Sequence, residues 1–410
     1  MRIALINESF PPLIDGVSGA VVNYAYNMGA KGNEPFVVTP RVPRAKDVYP
    51  FPVIRYPSVP GGKRISYPIG NFLSIRTIKK IKRLDPDIIH VHSPFSAFLL
   101  ARIVRRKTKA PIITTYHTKF DIEFKDRLRV ELIRKIATKI VLWCFNSSDE
   151  TWVVNHGSGK NLESLGYKGD YRVMPNGVDL PKARVSPEQI DALNKKYGVA
   201  PDETVFLFLG RMKWYKNIRL ILDSLKILKD QDLPFRAIFV GGGEDLEEIK
   251  AYSAELNLRD RMIFTGSISD RTAIPVFYSR ADLFLFPSTF DNDPLCVKEA
   301  AASSCPSLLI EGSCAAEDIT DGVNGFLAKE NADSCAETIL RAISDRELLV
   351  KVGKNAAETV YIPWETAVNA ALDRYAEVLE KYDYSSAQKK RRAQTRLKHL
   401  TKIKLSGFRN

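Results

Sequence analysis

The sequence of 410 residues predicts an α/β protein built from two consecutive doubly wound domains. Three observations carry that reading. Short apolar segments alternate with longer segments of helical periodicity from the N-terminus to Met174. A stretch bounded by prolines, Pro181-Lys182-Ala183-Arg184-Val185-Ser186-Pro187, then breaks the pattern and reads as a linker. The alternation restarts at Thr204 and runs to Ile310. Strands that alternate with helices pair in parallel through right-handed crossovers, and two such domains in series enclose a cleft.

In the first half, strands are expected at Ile3–Asn7, Pro35–Val38, Ile88–His92, Ile112–Tyr116, Thr151–Val154 and Arg172–Met174. Helices are expected between them at 17–29, 71–83, 97–106, 124–145 and 157–164. In the second half the strands are Thr204–Leu209, Ala237–Val240, Met262–Phe264, Leu283–Phe286 and Ser307–Ile310, with helices at 217–229, 246–256, 272–279 and 295–303. Pro363 suits the start of a last helix, which spaces Trp364, Ala367, Ala371, Tyr375 and Leu379 along one face. The chain therefore divides into 1–182, 183–361, a C-terminal helix 362–384 and a basic tail 385–410.

The net charge of +13 conceals a partition: +14 over 1–182, −10 over 183–384 and +9 over 385–410. Such asymmetry implies that one side faces a polyanion, either an anionic membrane or nucleic acid. Five cysteines (Cys144, Cys296, Cys305, Cys314, Cys335) are odd in number and form no CxxC pair. That suits free thiols in a reducing cytoplasm, and the even spacing of the middle three is read as small-residue packing, not a metal site. Met1–Asn7 is too short for a signal-peptide core, and no uncharged run approaches the ~20 apolar residues of a membrane span.

The chemistry-bearing motifs cluster in the second half. Gly210-Arg211 follows a strand and Lys216-Asn217 opens the next helix, which places two cations beside a helix N-terminus, a setting for a diphosphate. The run Gly241-Gly242-Gly243 would let backbone approach a ligand, and Thr265 ends another strand at the same sheet edge, where backbone could hold a nucleobase. In Asp291-Asn292-Asp293-Pro294-Leu295-Cys296-Val297-Lys298-Glu299, Asp291 lies in a loop, Pro294 in the first turn of a helix, and Glu299 further along it. Two carboxylates eight positions apart can contact different hydroxyls of one elongated ligand, while free N–H groups at the helix start take phosphate or sugar oxygens. The alternative is that Asp293 caps the helix and Glu299 is a solvated surface residue.

Arg211…Lys216, Asp291…Glu299, the turn Pro175-Asn176-Gly177-Val178-Asp179 and the segment Asp321-Gly322-Val323-Asn324-Gly325-Phe326 resemble the retaining GT-B glycosyltransferases of family four. Pro11-Pro12…Gly16, Pro86-Asp87-Ile88-Ile89-His90-Val91-His92 and Thr115-Tyr116-His117-Thr118 match the same family in order, so the resemblance spans roughly 1–382. It implies two Rossmann-like domains facing across a cleft, with the C-terminal helix crossing back to the first. Arg211 and Lys216 would stabilise the leaving diphosphate in place of a metal, so no cofactor is implied. Asp291 would sit near hydroxyls of the transferred sugar, His117 near the reaction centre, and Glu299 at the ribose. Gly16, Gly210, Gly242, Thr265, Asn292, Pro294 and Leu295 complete the expected substrate contacts. The sequence departs from the family pattern at Asp291, where the family carries Glu, and Asp293 adds a second negative charge where the diphosphate should approach. Asp291-Asn292-Asp293 also mimics a metal-binding DxD element of an unrelated fold, a reading set aside because the Arg/Lys pair stands beside it.

Among the histidines, His117 at a strand end is the functional candidate. His90 and His92 are expected on opposite faces of one strand, and His156 as a capping or packing residue. On the acceptor side, 124–145 is expected as one helix with Leu128, Leu132, Ile136 and Ile140 in a stripe among Lys125, Arg127, Arg129, Arg134, Lys135 and Lys139. With the basic segments 76–83 and 102–107 and the tail, this points to an anionic membrane and a lipid-linked acceptor at its cytoplasmic face. The expected activity is hexosyl transfer from a nucleotide-diphosphate sugar, UDP-glucose first among donors. The alternatives are transfer to a soluble or polysaccharide acceptor, or a non-catalytic binder on the same scaffold. No nucleic acid is expected as partner, since the tail lacks interleaved aromatics. A nicotinamide-dependent dehydrogenase fails because no GxGxxG opens either sheet.

Overall fold

The computed structural model describes residues 1–13, 15–61 and 67–382; the basic tail lies outside them. The first sheet contains β1 (Arg2–Ile6), β2 (Glu34–Pro40), β3 (Val53–Tyr56), β6 (Ile88–Val91), β7 (Ile112–Tyr116), β8 (Glu150–Val153) and β9 (Tyr171–Val173), while β4 (Ser58–Val59) and β5 (Ile69–Gly70) form a small antiparallel pair. Its order is β3-β2-β1-β6-β7-β8-β9, with every pairing parallel. The second sheet contains β10 (Val205–Leu209), β11 (Arg236–Val240), β12 (Met262–Gly266), β13 (Leu283–Leu285), β14 (Ser307–Ile310) and β15 (Phe326–Ala328), ordered β12-β11-β10-β13-β14-β15 and also parallel.

Parallel sheets are covered on both faces, so their central strands read as unbroken apolar runs. Ile3, Ala4, Leu5 and Ile6 of β1 are accordingly all buried. Leu5 packs in a core with Tyr24 and Met28, and Ile6 in the core on the opposite face with Ile89 and Phe98. Strand order reverses between β1 and β6 and again between β10 and β13. Ligands of such sheets bind beyond the carboxyl ends of the strands at these switch points.

The helix Trp364–Lys381 packs on the first domain, with Trp364, Val368, Ala371 and Tyr375 in one core with Val21, Tyr24 and Trp152. Tyr375 stacks on Trp152 with ring centroids 5.3 Å apart. The two chain crossings between the domains touch: Val178 N–H donates to Ile362 O at 2.9 Å and Trp364 N–H to Val178 O at 3.3 Å. A Cβ at Gly177 would lie 2.5 Å from Trp364 Cα, so the crossings can meet only at glycine.

Several elements differ from the sequence reading. The expected helix 124–145 is two, Phe120–Arg127 and Glu131–Asn146, because Leu128 and Val130 are extended. β3 and β15 were not expected, nor were the helices Pro187–Tyr197, Ala332–Ser344 and Arg346–Thr359. The linker therefore ends at Pro187, the first residue of a helix capped by Ser186.

Candidate active site

The strand ends at the two switch points face each other across the cleft. From the second domain, Arg211 and Lys216 follow β10 and Asp291 follows β13, one on each side of the reversal. The segments after β10 and β11 lie against each other, with Gly210 N–H donating to Val240 O at 3.0 Å and Met212 N–H to Gly242 O at 2.9 Å. A Cβ at Gly241 would sit 1.9 Å from Gly210 O, and one at Gly243 2.2 Å from Met212 O. Packing between the two loops thus requires glycine at 241 and 243. Thr265 is the penultimate residue of β12, its hydroxyl donating to Gly266 O at 2.9 Å.

Lys216 is buried, and its ammonium contacts Asp291 Oδ1 amid the rings of Tyr215, Phe286 and Phe290. Ser288 Oγ donates to the other carboxylate oxygen of Asp291 at 2.6 Å, which fixes the shorter side chain. Arg211 projects toward the first domain. Burial opposes its charge, but Tyr215, Tyr67, Asp15 and Asp291 raise its pKa on balance. Asp15 caps the helix Gly16–Ala30 by accepting from Ser18 N–H at 2.7 Å, which sets Gly16 at its first position. A Cβ at Gly16 would meet nothing within 4 Å, so this position faces open space.

Pro294 stands at the N-cap of Leu295–Ala302, one position earlier than expected, and no side chain caps that helix. Uncapped N–H groups at a helix start, here beginning at Leu295, are of the kind that takes phosphate or sugar oxygens. Asp293 does not cap the helix; its carboxylate is turned into the protein. It pairs with Lys298 at 2.7 Å and accepts from Asn176 N–H at 3.0 Å, while Lys298 Nζ donates to Asn176 O at 2.9 Å. The second negative charge is neutralised inside the protein and ties the Asp291 loop to the interdomain turn. Glu299 is buried, not solvated: Arg271 meets one oxygen at 2.7 Å and Tyr278 OH the other at 3.2 Å. Arg271 also reaches Asp179 of the interdomain turn at 2.6 Å.

From the first domain, His117 follows β7. Its Nε2 lies 3.1 Å from His92 Nδ1, and its carbonyl accepts from Asn292 Nδ2 at 3.1 Å. Burial pushes the His117 imidazole down to about 4, so it is neutral near pH 7. His90 and His92 share one face of the sheet, with ring centroids 4.0 Å apart, because residues two apart in a strand point the same way. His90 is held by Tyr375 OH at 2.6 Å and Thr115 Oγ1 at 2.7 Å, and burial first, then the neighbouring His117, lowers its pKa. His156 is an exposed first helical residue; the cap is Asn155.

Sequence reasoning missed the residues that stitch the Asp291 loop across the cleft. Asn155 Nδ2 donates to Asn292 O at 2.7 Å and Cys314 O at 2.9 Å, and Lys119 Nζ donates to Thr289 O at 2.8 Å. The Asn155/Ser158 capping box was a readable local signal, but its second partner lies in the other domain.

Two Rossmann-like domains with parallel sheets, meeting at facing switch points with cations and carboxylates from both, define the class as a GT-B glycosyltransferase. The model of Glycosyltransferase Family 4 matches residues 14–182, and that of Glycosyl transferases group 1 matches residues 189–359. The chain belongs to this glycosyltransferase family. It is 26% identical over 367 residues to alpha-monoglucosyldiacylglycerol synthase of Acholeplasma laidlawii, covering 87% of this chain and 92% of that protein. It is 25% identical over 390 residues to GDP-mannose-dependent alpha-mannosyltransferase of Corynebacterium glutamicum, covering 92% and 89%. Sucrose-phosphate synthase from Thermosynechococcus elongatus has the same fold, with a TM-score of 0.77 at 20% identity over 92% of this chain and 99% of that one. HepE of Anabaena in complex with UDP gives 0.75 at 19% identity over 92% and 100%.

Proposed function

We propose that this glycosyltransferase moves a hexose from a nucleotide-diphosphate sugar to a lipid-linked acceptor at the cytoplasmic face of the membrane, with retention of configuration and without a metal. The observation that carries the reading is the grouping of Arg211, Lys216 and Asp291 at the switch point of the second sheet, opposite Gly16 and His117. As the bond from the sugar's anomeric carbon to the diphosphate breaks, charge grows on the leaving oxygen, and two fixed cations stabilise it there. The acceptor oxygen forms the new bond on the same face, and its proton leaves with the departing phosphate. Asp291, held by Lys216 at one oxygen and by Ser288 at the other, takes sugar hydroxyls with its remaining lone pairs. Glu299 takes ribose hydroxyls, sharing its lone pairs with Arg271 and Tyr278. Neutral His117 serves the sugar as a hydrogen-bonding group, not as a cation. Gly210, Gly242, Thr265, Asn292, Pro294 and Leu295 supply backbone and side-chain contacts around the nucleotide and sugar.

The nucleotide is read as UDP because the HepE complexes hold UDP and UDP-glucose. The acceptor class is supported by the names of the glucosyldiacylglycerol synthases of Acholeplasma laidlawii and Streptococcus pneumoniae. Among the described residues no helix is long and apolar enough to cross a membrane, so attachment by a basic surface is the route proposed. The test uses radiolabelled UDP-glucose, UDP-galactose and GDP-mannose, with anionic vesicles that carry diacylglycerol and with chelator present. Label in the lipid fraction is expected. Label confined to a water-soluble acceptor would remove the lipid part, and no transfer or donor hydrolysis at all would remove the enzyme.

A further inference from the structure

The helix Glu131–Asn146 turns an apolar face to solvent. Leu132 is 66% exposed, Ile133 and Ile136 50%, and Ile140 and Trp143 43%. At 3.6 residues per turn these five fall within an arc of about 100°. The opposite arc, with Val141, Cys144 and Phe145, is buried in the domain. A surface helix normally solvates the face it does not bury, so this one has two apolar faces, of which only the inner is covered among the described residues. Lys135 and Lys139 are exposed beside the outer stripe. The guanidinium of Arg102 lies 5.1 Å over Trp143. Ile81, Phe98 and Cys144 belong to one core, so the helices Ile75–Leu84, Ser96–Thr108 and Glu131–Asn146 cover the same face of the first sheet. Lys79, Lys82, Arg106 and Lys107 on the first two are exposed.

The geometry assigns this face to an anionic lipid bilayer: Glu131–Asn146 lies in the interfacial layer with Leu132, Ile136 and Trp143 inserted, and the lysines and arginines around it meet lipid phosphates. Charge complementarity decides the occupant, because an apolar stripe edged by cations and carrying a tryptophan matches a headgroup boundary. The orientation follows from topology. The chain leaves the carboxyl end of β7, at the cleft, and returns to the start of the parallel strand β8, so Leu132 and Ile133 lie at the cleft end of the helix. A bilayer seated there puts the cleft mouth at the lipid surface, where an acceptor can enter without leaving the membrane. The inference deepens the lipid-acceptor reading and rests on it for the purpose of the surface.

The full chain is mixed with vesicles of phosphatidylcholine containing phosphatidylglycerol, and partition is measured by flotation. Leu132→Ser with Ile136→Ser should weaken partition about tenfold or more, since each residue loses burial of most of an aliphatic side chain. Lipids brominated on the acyl chain should quench Trp143 fluorescence, and Trp143→Tyr should abolish the quenched component. Unchanged partition in the double variant, or no quenching, overturns the proposal. So does loss of a dimer in light scattering with vesicle partition intact, which would make a second copy the occupant. Transfer to acceptor in detergent micelles tests the enzyme separately. The double variant should retain it, whereas partition without micellar transfer in the parent protein would overturn the catalytic reading and leave the surface standing.

Discussion

Replacing Lys298 with Met tests the buried charge pair that joins the Asp291 loop to the interdomain turn. The Lys298 and Asp293 side chains are only 5% and 9% exposed and meet at 2.7 Å. Removing one partner of such a pair leaves a carboxylate with little compensation and costs about 3–5 kcal/mol. For a domain of this size each kcal/mol moves the midpoint roughly 2–4 °C, so Lys298→Met should melt about 10 °C lower than the parent. Asp293→Leu with Lys298→Met removes both charges and should recover most of that loss, since a buried pair exchanged for apolar groups is often near neutral. Scanning calorimetry and urea titration of the parent, single and double variants measure the effect. A single variant that melts with the parent, or a double variant worse than the single, would refute the reasoning. The donor affinity of Asp293→Asn separates two pictures. If Asp293 faced the diphosphate, neutralising it would tighten binding; with Asp293 paired internally, the loosened turn at Asn176 should weaken it.

Lys216→Ala should lower kcat about 10²–10³-fold, the range for removing one group that stabilises developing charge. Glu299→Gln should raise the donor KM about tenfold or more, because a hydrogen bond to a charged acceptor becomes a neutral one. Stability should fall as pH drops from 6.5 toward 4. His117 (about 4), His90 and His92 all have folded pKa values below 6.5, so the unfolded chain takes protons first, at about 1.4 kcal/mol per pH unit for each histidine. Glu8, raised to about 7 by burial, acts in the opposite sense between 4.5 and 7 and offsets part of this. Urea midpoints at pH 7, 6 and 5 give the sign, and a rising midpoint would contradict it. Gly241→Ala should melt well below the parent, because its Cβ would lie 1.9 Å from Gly210 O at a φ of +138°. Gly16→Ala should leave the midpoint unchanged and impair turnover.

Much of the fold was legible because parallel strands buried on both faces leave unbroken apolar runs, as at Ile3–Ile6 and Phe206–Leu209. What was missed lacks that signature. Val53–Tyr56 alternates because it is an edge strand, and Phe326–Ala328 is three residues long. The break in 124–145 was invisible because its helical periodicity continues through Leu128, where the backbone is extended. At the site, Arg211, Lys216 and Asp291 could be read from their places after strands, but their partners could not. Asp293 looks like a cap or a repulsive charge until Lys298, five residues on, is seen to turn back to it. Asn155, Lys119 and Arg271 act across long stretches of chain that no local pattern encodes.

The structure of the product tests the central claim most directly. Product extracted from vesicles after turnover with UDP-glucose, and examined by NMR, should carry a single α-linked hexose on a lipid hydroxyl, with the anomeric configuration of the donor. A β-linked lipid would contradict retention, and free glucose with unmodified lipid would contradict transfer to a lipid acceptor.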